Sequence, residues 1–138
     1  MPPKLTFVEE ADVETQIFPW GRLAWLSEPR ITAAERFSAG VVTLKPGEGH
    51  DRHNHPGVEE ILYVLSGQGL QVVEPESGKT EREIGPGVLV HIPPDVFHST
   101  VATGVEPMRV LAIYAPPGPE AELREAPGVV IEPAQRQG

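Results

Sequence analysis

Cysteine is absent from the 138-residue chain, and methionine occurs only twice. Without thiols there is no disulfide framework, no thiolate nucleophile and no cysteine-based zinc or iron–sulfur centre, so any metal must be held by nitrogen and oxygen. Basic residues are also few. Eleven Lys and Arg stand against 20 Asp and Glu, a net charge of −9, and they form no cluster. Such a chain repels phosphate backbones and anionic bilayers, which argues against nucleic acid and membrane partners. No apolar run approaches the ~18 residues of a membrane span. No basic-then-apolar leader opens the sequence, so the expectation is a soluble cytoplasmic protein.

What the chain has in excess is turn residues. Proline (16) and glycine (14) make up more than a fifth of it. Proline removes a backbone donor and clashes inside a helix, and glycine favours turns, so the composition predicts an all-β sandwich or barrel with little helix. At 39% apolar residues the chain can still bury a core, and its length fits one compact domain.

From Gly40 onward β-rich runs alternate with turn signals: Val41–Lys45, Glu60–Leu65, Leu70–Glu74, Thr80–Ile84, Val88–Ile92, Phe97–Ala102 and Met108–Ala115. The spacing is that of an antiparallel sandwich or barrel. Residues 39–116 are therefore read as the barrel core. Residues 1–38 are an arm packing on the barrel or on a partner subunit, with a short strand over Leu5–Val8 and an apolar segment over Trp20–Leu26. Residues 117–138 form an extension, with a helical turn or two at Pro119–Glu125, a short strand at Val129–Ile131 and a mobile tail. The run Glu60–Leu65 is apolar on both parities, so both faces of that strand are expected to be covered.

All five histidines fall between Gly47 and His98, four of them beside turn residues. In His53-Asn54-His55, alternation on a strand points both imidazoles to one face. Glu60 follows a Pro56-Gly57 turn, so a returning strand brings its carboxylate alongside, and His98 follows the tight Pro93-Pro94-Asp95 turn. Three imidazoles and one carboxylate suit one divalent transition metal ion, Mn, Fe, Ni or Zn, with positions left open for water or substrate.

These residues carry a resemblance to the cupin superfamily. Its first motif, G-x5-H-x-H-x3,4-E-x6-G, is matched by Gly47, His53, His55, Glu60 and Gly67. Its second, G-x5-P-x-G-x2-H-x3-N, is matched by Gly87, Pro93 and His98, with Asp95 in place of glycine and Ala102 in place of asparagine. The resemblance implies a double-stranded β-helix, a jelly-roll-like antiparallel barrel of the RmlC type, in which His53, His55, Glu60 and His98 bind the metal. The distance to Gly67 selects Glu60 over Glu59, and alternation then turns Glu59 to the opposite face as a solvated or interface charge. Asp tolerates the turn conformation that glycine otherwise supplies, so Asp95 is read as keeping the turn.

The remaining candidates are His50, in a turn before the motif histidines, and Tyr63, both weak catalytic candidates, and His91, read as a packing or interface residue. Tyr63, Phe97, Met108 and Tyr114 are candidate pocket walls. The resemblance implies a metal-dependent enzyme of dioxygenase or decarboxylase type acting on a small anionic or oxygen-chelating compound. The alternatives are an isomerase or lyase, or a non-catalytic sensor or carrier. The two-sided strand, the tryptophan-bearing first segment and the family's habit of pairing through outer strands imply a homodimer.

Overall fold

The structure is a computed structural model that describes residues 4–136. Eleven strands form two antiparallel sheets. Strands β1 (Thr15–Phe18), β2 (Gly21–Ser27), β3 (Ser38–Leu44), β5 (Glu59–Ser66), β8 (Leu89–Ile92), β10 (Met108–Ala115) and β11 (Val130–Glu132) lie in the order β11-β1-β2-β3-β10-β5-β8. Strands β4 (Gly49–His53), β6 (Gly69–Glu74), β7 (Thr80–Ile84) and β9 (Phe97–Ala102) lie in the order β4-β9-β6-β7. The all-β expectation holds, and helix among the described residues is limited to a 3-10 turn at Glu10–Asp12 and two short elements, α1 (Pro29–Thr32) and α2 (Pro119–Arg124). Both α1 and α2 start on a proline, where the missing N–H has no intrahelical partner to lose.

Alternation explains the regular strands. In β10, Met108, Val110, Ala112 and Tyr114 are buried while the residues between them are partly exposed. The buried cluster draws on both sheets: Leu23, Val42, Leu62, Val64 and Val110 from the larger, Ile84 and Ala102 from the smaller. Burial of this apolar area is the main term holding the sheets together.

Four turns shape the frame around the core. Lys45–Glu48, His55–Val58, Gly85–Val88 and Pro93–Val96 each close with an N–H from the fourth residue to the carbonyl of the first. Each has proline second, and a residue with positive φ third: Gly47 (81°), Gly57 (71°), Gly87 (91°) and Asp95 (68°). That is the type II pattern, whose third position favours glycine. Close approach demands glycine elsewhere: a Cβ on Gly49 would lie 1.9 Å from the Thr100 carbonyl oxygen, so β4 can lie against β9 only without one.

Several expectations are corrected. Leu5–Val8 is not a strand: Leu5 donates one backbone hydrogen bond to Ile31, and Phe7 is fully in solvent. The Trp20–Leu26 segment, without an assigned role from sequence, is largely β2, in which Leu23, Ala24 and Trp25 are all buried. The turn expected around His50, over Pro46–Asp51, gives way at Gly49 to strand β4, which runs on to His53. The outer face of β5 is not covered by the described residues: Tyr63 is 40% exposed and Leu65 41%. The tail expected to be mobile runs into residues 137–138, which lie outside the described residues. Arg136 itself is tied to the first segment, donating from its backbone to Ala11 and from its guanidinium to Glu9 and Asp12.

Candidate metal centre

Three elements bring the motif residues together. His53 ends β4, Glu60 is the second residue of β5 and His98 the second of β9. The β4–β9 register sets His53 opposite His98, and the β5–β10 register sets Glu60 opposite Tyr114. His55 does not share a strand with His53, because β4 ends at His53, two residues short of it. It sits at the start of the His55–Val58 turn, and the path of that loop, not strand alternation, returns its ring to the group.

One nitrogen from each of His53, His55 and His98 lies within 4.8 Å of the others. Glu60 Oε1 is 3.2 Å from His98 Nε2 and 3.7 Å from His55 Nε2. All three of these atoms are buried and have no hydrogen-bond partner. Two donors bonded to one ion at about 2.0–2.1 Å stand roughly 3.0–3.4 Å apart at neighbouring positions. The convergence of unpartnered nitrogen and oxygen lone pairs at this spacing fits a divalent metal.

Ring orientation agrees. If Nδ1 of His53 carries the proton it donates to the Asp51 carbonyl at 2.6 Å, and Nδ1 of His98 likewise to that of Val96 at 3.0 Å. This fixes the tautomer that leaves Nε2 bare and facing inward. The His55 ring packs edge-on against Tyr114, with centroids 5.3 Å apart.

Burial is the largest influence on the protonation of these groups. It pushes the His53 and His55 imidazoles below their usual range, with Glu60 opposing. Burial also pulls on His98, but the Glu60 carboxylate outweighs it and holds this histidine above its usual value. The Tyr114 phenol is pushed far up, by burial first and by Glu60 second, so it stays protonated.

The surrounding cavity has a volume of about 30 Å³ and is walled by Val42, Leu44, Leu62, Val110, Thr100 and Tyr114. No Lys or Arg lines it among the described residues. On the scale of buried water sites it holds an ion with one or two small ligands. Thr100 donates to Gln71, which satisfies both buried groups.

His50 lies on this wall, its ring edge-on to Trp20 at 4.2 Å and 4.8 Å from that of His53. Burial and then the adjacent histidines push it down to about 3, so it is neutral near pH 7 and offers no imidazolium proton. Tyr63 is not part of the site. It points off the other face of β5 and pairs across the sheet with Leu89. Glu59 also faces outward and is bonded to the exposed His91, as alternation predicts. Phe97 carries Arg52 over its ring, and Met108 is buried in the core, so neither is a wall. Sequence reasoning missed the Asp51 and Val96 carbonyls and the Trp20–His50 contact. Backbone atoms leave no residue-type signal, and the Trp20 contact depends on how the first segment returns to the sheet.

The cupin-domain family model matches residues 40–114. The chain belongs to the cupin family. As a cupin it shares 30% identity over 101 residues with L-ectoine synthase of Bordetella petrii, covering 73% of each chain. It is 41% identical over 63 residues to glucose-6-phosphate isomerase of Thermococcus kodakarensis, 45% of this chain and 33% of that protein. The matched segment thus spans a third of the isomerase. Among solved structures, KdgF from Halomonas sp. superposes with a TM-score of 0.72 at 18% identity, over 86% of this chain and 99% of that one. An oxalate decarboxylase of Bacillus subtilis, studied for its Mn(II) centres, gives 0.70 at 19% identity, over 83% and 30%. At these identities the structural likeness shows the fold alone.

Proposed function

We propose that this cupin binds one divalent transition metal ion per chain through His53, His55, His98 and Glu60, and acts as an enzyme on a small oxygen-chelating compound by decarboxylation or oxidative cleavage. The observation that carries the reading is the convergence of His55 Nε2, His98 Nε2 and Glu60 Oε1, buried and without hydrogen-bond partners. A bound metal would supply Lewis acidity or redox chemistry at that point. The chain's own residues do the rest. Val42, Leu44, Leu62 and Val110 exclude water from a ligand's apolar body, and neutral His50 offers a hydrogen bond at the wall.

Cavity chemistry narrows the ligand. Recognition of a phosphate calls for Arg, Lys or a cradle of backbone N–H groups. With neither Lys nor Arg lining the cavity, the named reaction of the thermococcal isomerases is a poor fit here, and its small volume favours a compact organic acid or diketone. We further infer a homodimer formed through the outer face of β5 and β8, where Tyr63, Leu65 and Leu89 are exposed side by side.

The test is turnover by protein loaded separately with Mn(II), Fe(II), Ni(II) or Zn(II), offered oxalate, small β-diketones, dihydroxy aromatics and glucose 6-phosphate. Conversion of one of the first three classes supports the reading. Bound metal with no turnover of any class points to a carrier or sensor, and isomerisation of the sugar phosphate contradicts it.

A further inference from the structure

The turns His55–Val58 and Pro93–Val96 repeat one backbone pattern, with proline second and positive φ third. Three of the four such turns place glycine third, and here alone the third residue is an aspartate, at φ 68°. A side chain in that region is tolerated at a cost that glycine avoids. Its presence calls for a compensating contact, and the structure supplies it. Asp95 Oδ1 accepts the backbone N–H of Gly57, at 3.0 Å. The Asp95 carbonyl accepts from Asn54 Nδ2, at 3.0 Å. The Asp95 N–H donates to the carbonyl of His55, at 3.4 Å. Two of these bonds join the turns directly and the third ties in the residue before His55, all centred on Asp95.

What these bonds hold is His55. The other two histidines of the group are oriented through Nδ1 by the Asp51 and Val96 carbonyls, whereas no such bond orients the His55 ring among the described residues. Its place is set through its main chain, whose carbonyl takes the Asp95 and Val58 N–H groups. Resting on the metal reading above, we propose that Asp95 is a positioning residue: its carboxylate locks the turn bearing His55 to the turn leading into His98 and so presets the spacing of two ligands. Neither Asp95 nor Asn54 touches the ion. Groups that orient metal ligands in this indirect way commonly change affinity by about 10–100-fold when removed.

The experiment compares Zn(II) affinity and release rate, by competition with a colorimetric chelator, in wild type, Asp95→Gly and Asp95→Asn. Glycine takes φ 68° freely and removes only the carboxylate. Asparagine keeps Oδ1 as an acceptor and also tolerates this conformation. The expectation is about tenfold weaker binding and faster release for Asp95→Gly, near-wild-type values for Asp95→Asn, and similar circular dichroism for all three. Asp95→Gly within about twofold of wild type, or Asp95→Asn as weak as Asp95→Gly, overturns the proposal while leaving the metal site intact. Failure of the wild type itself to bind Zn(II) or any other divalent ion overturns both.

Discussion

His98 Nε2 and Glu60 Oε1 stand 3.2 Å apart, both buried, yet neither has a hydrogen-bond partner. What links the two groups is the pull of the Glu60 carboxylate on a proton at His98. Either a proton on His98 or a cation between them resolves the juxtaposition, and the raised affinity of His98 for a proton is the signature of the first in metal-free protein. Glu60→Gln keeps the shape and deletes the charge. Burial is then opposed on His98 only by the Val96 carbonyl, and NMR titration of metal-free protein should show its midpoint falling below that of wild type. The same variant should bind metal at least about tenfold more weakly, and His55→Ala or His98→Ala should weaken it further.

Acid should weaken the metal-free fold. His50 titrates at about 3 when folded and at 6.5 when free. Between these values the unfolded chain holds more protons, so this contribution to stability is full above about pH 6.5 and is lost as pH falls toward 3. His53 and His55 act in the same direction. His98 acts in the opposite one, contributing below 6.5 and losing its contribution as pH rises through its raised value. Thermal melts from pH 7 to 4 should show a falling Tm, with a shallower fall in His50→Phe, which keeps an aromatic ring against Trp20.

A second buried polar chain ties the two ends of the sequence together. Trp25 Nε1 donates to Gln16 Oε1 at 2.9 Å, and Gln16 Nε2 donates to the Glu120 carbonyl at 3.1 Å. Gln16→Leu leaves the buried indole N–H of Trp25 without its partner and takes one donor from the Glu120 carbonyl, which costs about 1–3 kcal/mol. Urea unfolding should register that loss with metal affinity unchanged, since none of the three residues lines the cavity.

The proposed dimer has its own check. Leu89 is 55% exposed and lies directly opposite Tyr63 in the sheet. The double variant Tyr63→Lys, Leu89→Lys places charge on the apolar stripe, and light scattering should report a mass near 15 kDa where the wild type gives twice that. A wild type that is monomeric at micromolar concentration would remove this part of the account.

Legibility in the sequence followed burial geometry. Thr80–Ile84, Phe97–Ala102 and Met108–Ala115 have the boundaries that alternation and turns indicate, because for the latter two one face is buried and the other is not. Strand β2 escaped because Leu23, Ala24 and Trp25 are buried in succession, so no period of two is visible. The start of strand β4 escaped because Pro-Gly-Glu-Gly-His-Asp reads as a polar turn, and its partner β9 is what makes it a strand. The site was legible in residue type and spacing, from His53, His55, Glu60 and His98. Its limits were not: Tyr63 and Glu60 are three apart in one strand and so point to opposite faces, and the role of Asp95 depends on two turns meeting that are 38 residues apart.

The central claim is a metal held by nitrogen and one carboxylate. Elemental analysis of protein purified without added metal or chelator, set beside His98→Ala prepared identically, tests it most directly. The account predicts close to one equivalent of a divalent transition metal per wild-type chain and a severe loss in the variant. Equal metal content in both, or none recovered by the wild type even after incubation with Mn(II), Fe(II), Ni(II) and Zn(II), would contradict it.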